Sequence, residues 1–269
     1  MKIFSDKIKL IKFINNERNL GFIPTMGNIH KGHVSLIKKS ISQCDKTIVS
    51  IFINKPQFNK KSDYKKYPRT LKKDILILKK LKIDSLYLPS MNQIHPRGRN
   101  KKIKIEPFGK KLCGKSRPGH FEAVADVVDK FIKIIKPKKI YFGRKDMQQL
   151  KIIEDFIKKN HANIKVIGCK TIRENNGIAC SSRNFLLSSK EKIVASKIYK
   201  LLLREKKNLI NKKIPLNLIK QKILSLGIKK VDYLKILNIN KIIRPYRKNI
   251  QNKIFIAYYL KSTRLIDNV

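Results

Sequence analysis

The stretch LGFIPTMGNIHKGHVSLIKKSI, Leu20 to Ile41, decides how the chain reads. Leu20–Thr25 is an almost wholly apolar run of strand length, which suits a short buried strand. Met26-Gly27-Asn28 reads as a turn. From Gly32 onward the apolar residues Val34, Leu36, Ile37 and Ile41 recur at helical period, so a helix follows. A strand that turns directly into a helix is the opening unit of a parallel α/β sheet. His30 and His33 lie three residues apart, so both can face one side of the first helical turn. That turn also points unpaired N–H groups outward, which favours anions. Two imidazoles beside such donors suit a polyphosphate. Two surface histidines or a metal pair are the alternatives, and a metal would need a third ligand that is not close by in sequence.

The rest of the amino-terminal two thirds repeats the alternation. Lys46–Asn54 (KTIVSIFIN) is a β-branched run and a second strand, and residues 68–81 have helical period. Ser85–Leu88 is a third strand, and Gly119–Ile135 a helix closed by Pro137. Lys138–Phe142, Met147–Lys159 and Ile164–Ile172 read as strand, helix and strand. This order predicts a Rossmann-like parallel sheet with helices on both faces. After about Arg183 the pattern changes. Helical stretches near 189–210 and 215–226 precede strand-like segments at 231–238 and 253–260. The expected division is a Rossmann-like unit over 1–183 and a smaller α+β unit over 184–269.

Composition bounds the function. The 269 residues carry 64 Lys+Arg against 18 Asp+Glu, a formal net charge of +46. Such a charge ordinarily points to nucleic acid. Yet 12 of the cations are Arg and 52 are Lys, spread along the whole chain. Arg is the residue for bidentate phosphate and base contacts. Lys, Ile and Asn share A/T-rich codons, and Trp is absent, so the charge reads as drift in an AT-rich genome. Weak, salt-sensitive polyanion binding is expected; specific nucleic-acid binding is not. No apolar run reaches membrane-spanning length and no signal peptide is evident, so a cytoplasmic protein is expected. Cys44, Cys113, Cys169 and Cys180 form no CxxC pair, which argues against zinc or a disulfide framework.

Six further segments stand out, most of them carrying polar groups suited to chemistry. Ser50–Phe58 (SIFINKPQF) ends a strand and offers Gln57, both donor and acceptor. Tyr67–Asp74 (YPRTLKKD) opens a helix and is given no catalytic role. Leu112–Phe121 (LCGKSRPGHF) is a Gly- and cation-rich loop, with Arg117 and His120, that suits a flap over anions. Tyr141–Leu150 (YFGRKDMQQL) again follows a strand. Gly143 permits close approach, Lys145 is a point charge for phosphate, and Asp146 can take ribose hydroxyls. Ile172–Asn184 (IRENNGIACSSRN) supplies Ser181, Ser182 and Arg183. Phe255–Asn268 (FIAYYLKSTRLIDN) closes the chain.

The H-x-G-H string resembles the "HIGH" signature of class I nucleotidyltransferases and tRNA synthetases. The longer PTMGNIHKGH, with the other segments in order, resembles the pantothenate synthetase (pantoate–β-alanine ligase) family over nearly the whole chain. Family members often differ at four points. Lys55 stands where the family has Pro, Arg144 where Glu or Gln is usual, and Asn176 where Asp is usual. Lys261-Ser262 replaces the Gly before Thr-Arg.

The resemblance implies an ATP-dependent ligase that joins pantoate to β-alanine through a pantoyl adenylate, releasing pyrophosphate and then AMP. It implies His33, His30 and Lys145 as catalytic groups. It implies ATP contacts at Met26, Gly27, Asn28, Ile29, His30, Lys31, Gly32, His33, Gly143, Arg144, Lys145, Asp146, Ile172, Cys180, Ser181, Ser182 and Arg183. Cys180 is then adenine-facing packing rather than a nucleophile. Gln57 and Gln149 would hold pantoate, and Gln57 also β-alanine. Mg²⁺ is expected on the ATP phosphates rather than in a protein cage, and a homodimer is expected by likeness. The alternatives are a superfamily nucleotidyltransferase with another acceptor, and a nucleic-acid binder on a retained fold.

Overall fold

Six short strands pair side by side, all parallel, to make the larger sheet. They are β1 (Lys2–Phe4), β2 (Leu20–Thr25), β3 (Lys46–Ile51), β4 (Ser85–Tyr87), β5 (Lys139–Gly143) and β6 (Lys165–Cys169). Their spatial order is β1-β4-β3-β2-β5-β6. The computed structural model describes residues 1–242 and 248–269. The inner strands alternate their side chains between two cores, as a pleat requires. Phe22, Ile48, Tyr87 and Ile140 face one core, with Val124, Phe131 and Ile135 of the helix His120–Ile135 and Ile153 and Phe156 of the helix Met147–Asn160. Ile23, Val49, Leu86 and Tyr141 face the other, under the helices Lys31–Ile41 and Leu71–Lys80. Both faces are therefore covered, as the continuous apolar runs of these strands demand.

The sheet order reverses between β2 and β5. The chain moves outward from β2 through β3 to β4, then returns to the other side of β2. In such sheets the crevice at the strands' carboxyl ends, at the reversal, is where ligands bind. The loops that begin at Met26 and Arg144 both leave from that point.

A second sheet of three antiparallel strands follows: β7 (Lys230–Asn238), β8 (Asn252–Leu260) and β9 (Thr263–Asn268). It has its own core with the helices Ser189–Arg204 and Leu216–Leu224, including Ile198, Leu202, Ile219, Ile223, Ile254 and Ile256. The elements not expected from sequence include β1, the helix Lys7–Ile14, β9 and the short helices Lys61–Lys65, Met91–Ile94 and Cys113–Ser116. The helical stretch 189–210 is two helices, parted at Glu205.

Candidate active site

Behind β2 the backbone turns through Gly27 and Asn28, both at positive φ, +81° and +53°. Asn tolerates this region better than other side chains. A Cβ at Gly27 would lie 3.1 Å from both Asp74 Oδ2 and Ile51 Cγ2. The turn is held from behind by Asp74, which is almost completely buried. Its carboxylate accepts from the N–H groups of Asn28 and Ile29, both at 2.8 Å, and from Thr70 Oγ1 at 3.1 Å. Charged acceptors make the stronger kind of hydrogen bond. Asp74 thus fixes the turn from which both histidines project.

His30 is the N-cap of the helix Lys31–Ile41, and its Nδ1 accepts from the Gly32 N–H at 3.1 Å. That N–H is therefore not available to a ligand, and the ring's own proton sits on Nε2. The His33 ring stacks on His30, with centroids 4.0 Å apart. Burial pushes the His30 pKa down to about 4, helped by the Lys145 ammonium and opposed by Asp146. Burial, His30 and Lys145 together hold His33 well below the ordinary imidazole range. At neutral pH both rings are uncharged. Each offers a hydrogen bond rather than a proton.

A cavity of about 310 Å³ lies over this crevice. His30, Gly32, His33 and Met26 form one wall. Gly143, Lys145, Asp146 and Gln149 come from the end of β5, and Ile172, Cys180, Ser181, Ser182 and Arg183 from the loop after β6. Gln57 lines it too, beside Met26. Its Oε1 accepts from Asn54 Nδ2 at 3.2 Å, and its Nε2 lies 3.2 Å from Met26 Sδ. His120 Nδ1 and Arg117 Nη2 donate to the Gln57 carbonyl at 2.9 and 3.2 Å. His120 Nε2 then accepts from Arg117 Nη1 at 2.9 Å. The flap loop is therefore pinned to the Gln57 segment, and burial and Arg117 hold His120 neutral. Burial of the Cys180 thiol raises its pKa, which suits packing rather than nucleophilic attack.

Most of the expected site residues converge here, but five do not line the cavity. Gly27, Asn28 and Ile29 are buried behind it. Asn28 meets the Ser182 backbone and hydroxyl, and Ile29 packs in the core. Lys31 and Arg144 are exposed. Several residues given no role by sequence prove to hold the site. Besides Asp74, Asn268 Nδ2 donates to the carbonyls of Arg144 and Lys145 at 2.9 and 2.8 Å. Asp267 forks onto Arg173 at 2.7 and 3.0 Å. Gln148, beside Gln149, accepts from the Cys113 N–H of the flap loop and donates to the Phe108 and Lys111 carbonyls just before it.

Comparison with known proteins fits this arrangement. The family model described as pantoate-beta-alanine ligase matches residues 2–269. The chain belongs to the pantoate–β-alanine ligase family. It is 40% identical over 273 residues to a pantothenate synthetase of Francisella tularensis subsp. novicida, covering 99% of this chain and 96% of that one. A pantothenate synthetase of Sulfurihydrogenibium is 38% identical, covering 94% and 92%. Among solved structures, pantothenate synthetase from Thermus thermophilus superimposes with a TM-score of 0.91 at 29% identity, covering 100% and 99%. The Francisella tularensis pantoate-beta-alanine ligase complexed with beta-gamma ATP and beta-alanine gives 0.88 at 38%, covering 100% and 97%.

The departures from the pantoate–β-alanine ligase pattern are absorbed locally. Lys55 is exposed and opens a single 3₁₀ turn, with Pro56 in its first positions, that still delivers Gln57 to the cavity. Asn176 accepts from the Ile178 N–H at 3.1 Å, a side-chain turn that Asp would make equally well. Lys261 takes the positive φ of +46° that a Gly would otherwise supply between β8 and β9.

Proposed function

We propose that this chain joins pantoate to β-alanine, driven by ATP, in two steps at the one cavity. The observation that carries the assignment of roles is that one cavity brings together two kinds of group. It is lined by His30, His33, Lys145 and Ser181–Arg183 and also by Gln57 and Gln149. The first group suits a triphosphate and the second a hydroxy acid. In the first step a pantoate carboxylate oxygen attacks the α-phosphorus of ATP. The bond from that phosphorus to pyrophosphate breaks. In the second the β-alanine amine attacks the acyl carbon, the bond to AMP breaks, and the amine loses a proton. No nucleophile of the protein is needed. The neutral histidines donate hydrogen bonds to the departing charge, and Lys145 adds a fixed positive charge beside them.

Mg²⁺ would neutralise the phosphates and travel with ATP. Among the described residues no cluster of three or more His, Cys, Asp or Glu could cage a metal, so the site fits a cation held by the nucleotide. Residues 184–269 would act as a lid, with Arg264 reaching the cavity from β9. A homodimer in the cytoplasm completes the reading. Both rest on family likeness, and no helix among the described residues is long and apolar enough to cross a membrane.

Pantoate-dependent exchange of labelled pyrophosphate into ATP, without β-alanine, tests the scheme. Exchange is expected. AMP formation that strictly requires β-alanine, with no exchange, refutes a separate adenylation step. Exchange with a different acid but not pantoate would favour another acceptor.

A further inference from the structure

Behind Gln57 runs a chain of polar groups that ends at the surface of the helix His120–Ile135. The Lys130 Nζ sits 2.7 Å from His95 Nδ1, 3.0 Å from the Gly98 carbonyl and 3.1 Å from Asp126 Oδ2. His95 is buried, and its Nε2 is 2.8 Å from Asn54 Oδ1. Asn54, almost fully buried, points its Nδ2 at Gln57 Oε1 and at the Ala123 carbonyl, both at 3.2 Å. An ammonium has donors and no lone pair. His95 Nδ1 must therefore accept, and the ring's proton must sit on Nε2. That N–H must find the Asn54 oxygen, which turns the Asn54 amide group onto Gln57 Oε1. Gln57 is left with its Nε2 donors toward the cavity.

We propose that Lys130 is a positioning residue that sets the tautomer of His95 and, through Asn54, the way the Gln57 amide faces the substrate carboxylate. The Ala123 carbonyl favours the same Asn54 orientation, and Lys130 reinforces it by fixing the imidazole, which has no preferred tautomer of its own. The competitor is Asp126, whose Oδ2 lies 3.6 Å from His95 Nδ1 and whose other oxygen is buried with no partner among the described residues. Without Lys130 that carboxylate would capture a proton on Nδ1. His95 Nε2 would then become an acceptor, the Asn54 amide would reverse, and Gln57 would turn its oxygen toward the substrate. Lys130 and Asp126 are the charged groups facing the ring. The Asn54 amide and Phe52 ring meet it from beyond β3, and the Gly98 carbonyl lies near in its own loop.

The consequence for activity rests on Gln57 holding pantoate, as proposed above. Lys130→Met is expected to raise the pantoate KM at pH 8 by roughly 10-fold or more, with a smaller change in kcat. The loss should shrink as pH falls to about 5.5. A protonated His95 carries both N–H groups, so it pairs with Asp126 and still donates to Asn54. Lys130→Arg, also donor-only, should restore the parent KM at pH 8. Nitrogen-detected NMR of the histidine rings reads the tautomer directly: Nε2–H in the parent, Nδ1–H in Lys130→Met at pH 8. Thermal melts confirm that the variants are folded. A His95 tautomer unchanged by Lys130→Met overturns the proposal, as does a KM loss that is the same at every pH. If Gln57→Ala leaves the pantoate KM intact, the role of Gln57 is wrong, and the NMR result still decides whether Lys130 sets the ring.

Discussion

Replacing Asp74 by Asn should disable the enzyme without touching the cavity. The carboxylate accepts from two backbone N–H groups and one hydroxyl, inside the protein. Asn has the same shape but only one accepting oxygen. In either orientation its NH₂ group confronts the N–H of Asn28 or Ile29, leaving one buried donor unpaired. That costs about 1–3 kcal/mol, and the surviving bonds lose the benefit of a charged acceptor, about 1 kcal/mol more. Removing a buried charge offsets part of this, so a net loss of about 2 kcal/mol is expected. For a chain of this size that lowers Tm by roughly 4–8 °C. The larger effect falls on catalysis. Gly27, Asn28 and Ile29 lead directly into His30, so a turn that relaxes by about 1 Å misplaces both rings and lowers kcat by roughly 100-fold. The pyrophosphate exchange assay and a thermal melt measure both. A variant that melts within about 1 °C of the parent and exchanges within about twofold would show that Asp74 does not brace the turn.

Other outcomes follow from the same geometry. His33→Ala should lower kcat for adenylation by roughly 10²–10³-fold with little change in pantoate KM, since its hydrogen bond strengthens as charge leaves with pyrophosphate. Gln57→Ala should chiefly raise pantoate KM, by about 1–3 kcal/mol in binding. Acid should unfold the protein earlier than its carboxylates alone would require. His30 and His33 are held neutral when folded but bind protons near pH 6.5 when unfolded, so stability is intact above that pH and declines as pH falls toward 4. A urea series from pH 7.5 to 4.5 that shows no decline would contradict this. Polyanion binding should be sequence-independent and vanish as salt rises, which a filter-binding titration reads.

The parallel sheet was legible because its strands are apolar on both faces and end at turns. Phe22 and Ile23 serve two different cores, so neither position tolerates a polar residue, and the run stands out. The histidine pair was legible through motif spacing: His30 and His33 do stack on one turn. What escaped was either too short or too indirect. The strand Lys2–Phe4 has three residues and no period to detect, and Lys2 and Ile3 are exposed. The strand Thr263–Asn268 follows a turn made by Lys261, a residue that gives no turn signal. The bracing groups escaped because their partners are distant: Asp74 from Asn28, Asn268 from Lys145, His95 from Lys130. A lone acid or amide in a lysine-rich chain gives no sign of which backbone it holds. Asp74 lies in the segment YPRTLKKD, where an acid on the helix's apolar face, four residues before Leu78, was the available hint.

The hold of Asn268 on the carbonyls of Arg144 and Lys145 has a consequence in time. These contacts join positions 123 and 124 residues apart in sequence. On the ribosome, residues up to Cys169 emerge first and are free to form the parallel sheet, since domains generally fold as they appear. The loop carrying Lys145 then waits, without its clamp, until Thr263–Asn268 has been made and has added itself beside β8. A chain made only as far as Cys169 can thus form the crevice without the clamp on the Lys145 loop. That loop takes its final geometry from a strand made well after the sheet it leaves, so the sheet and the loop are completed at different times.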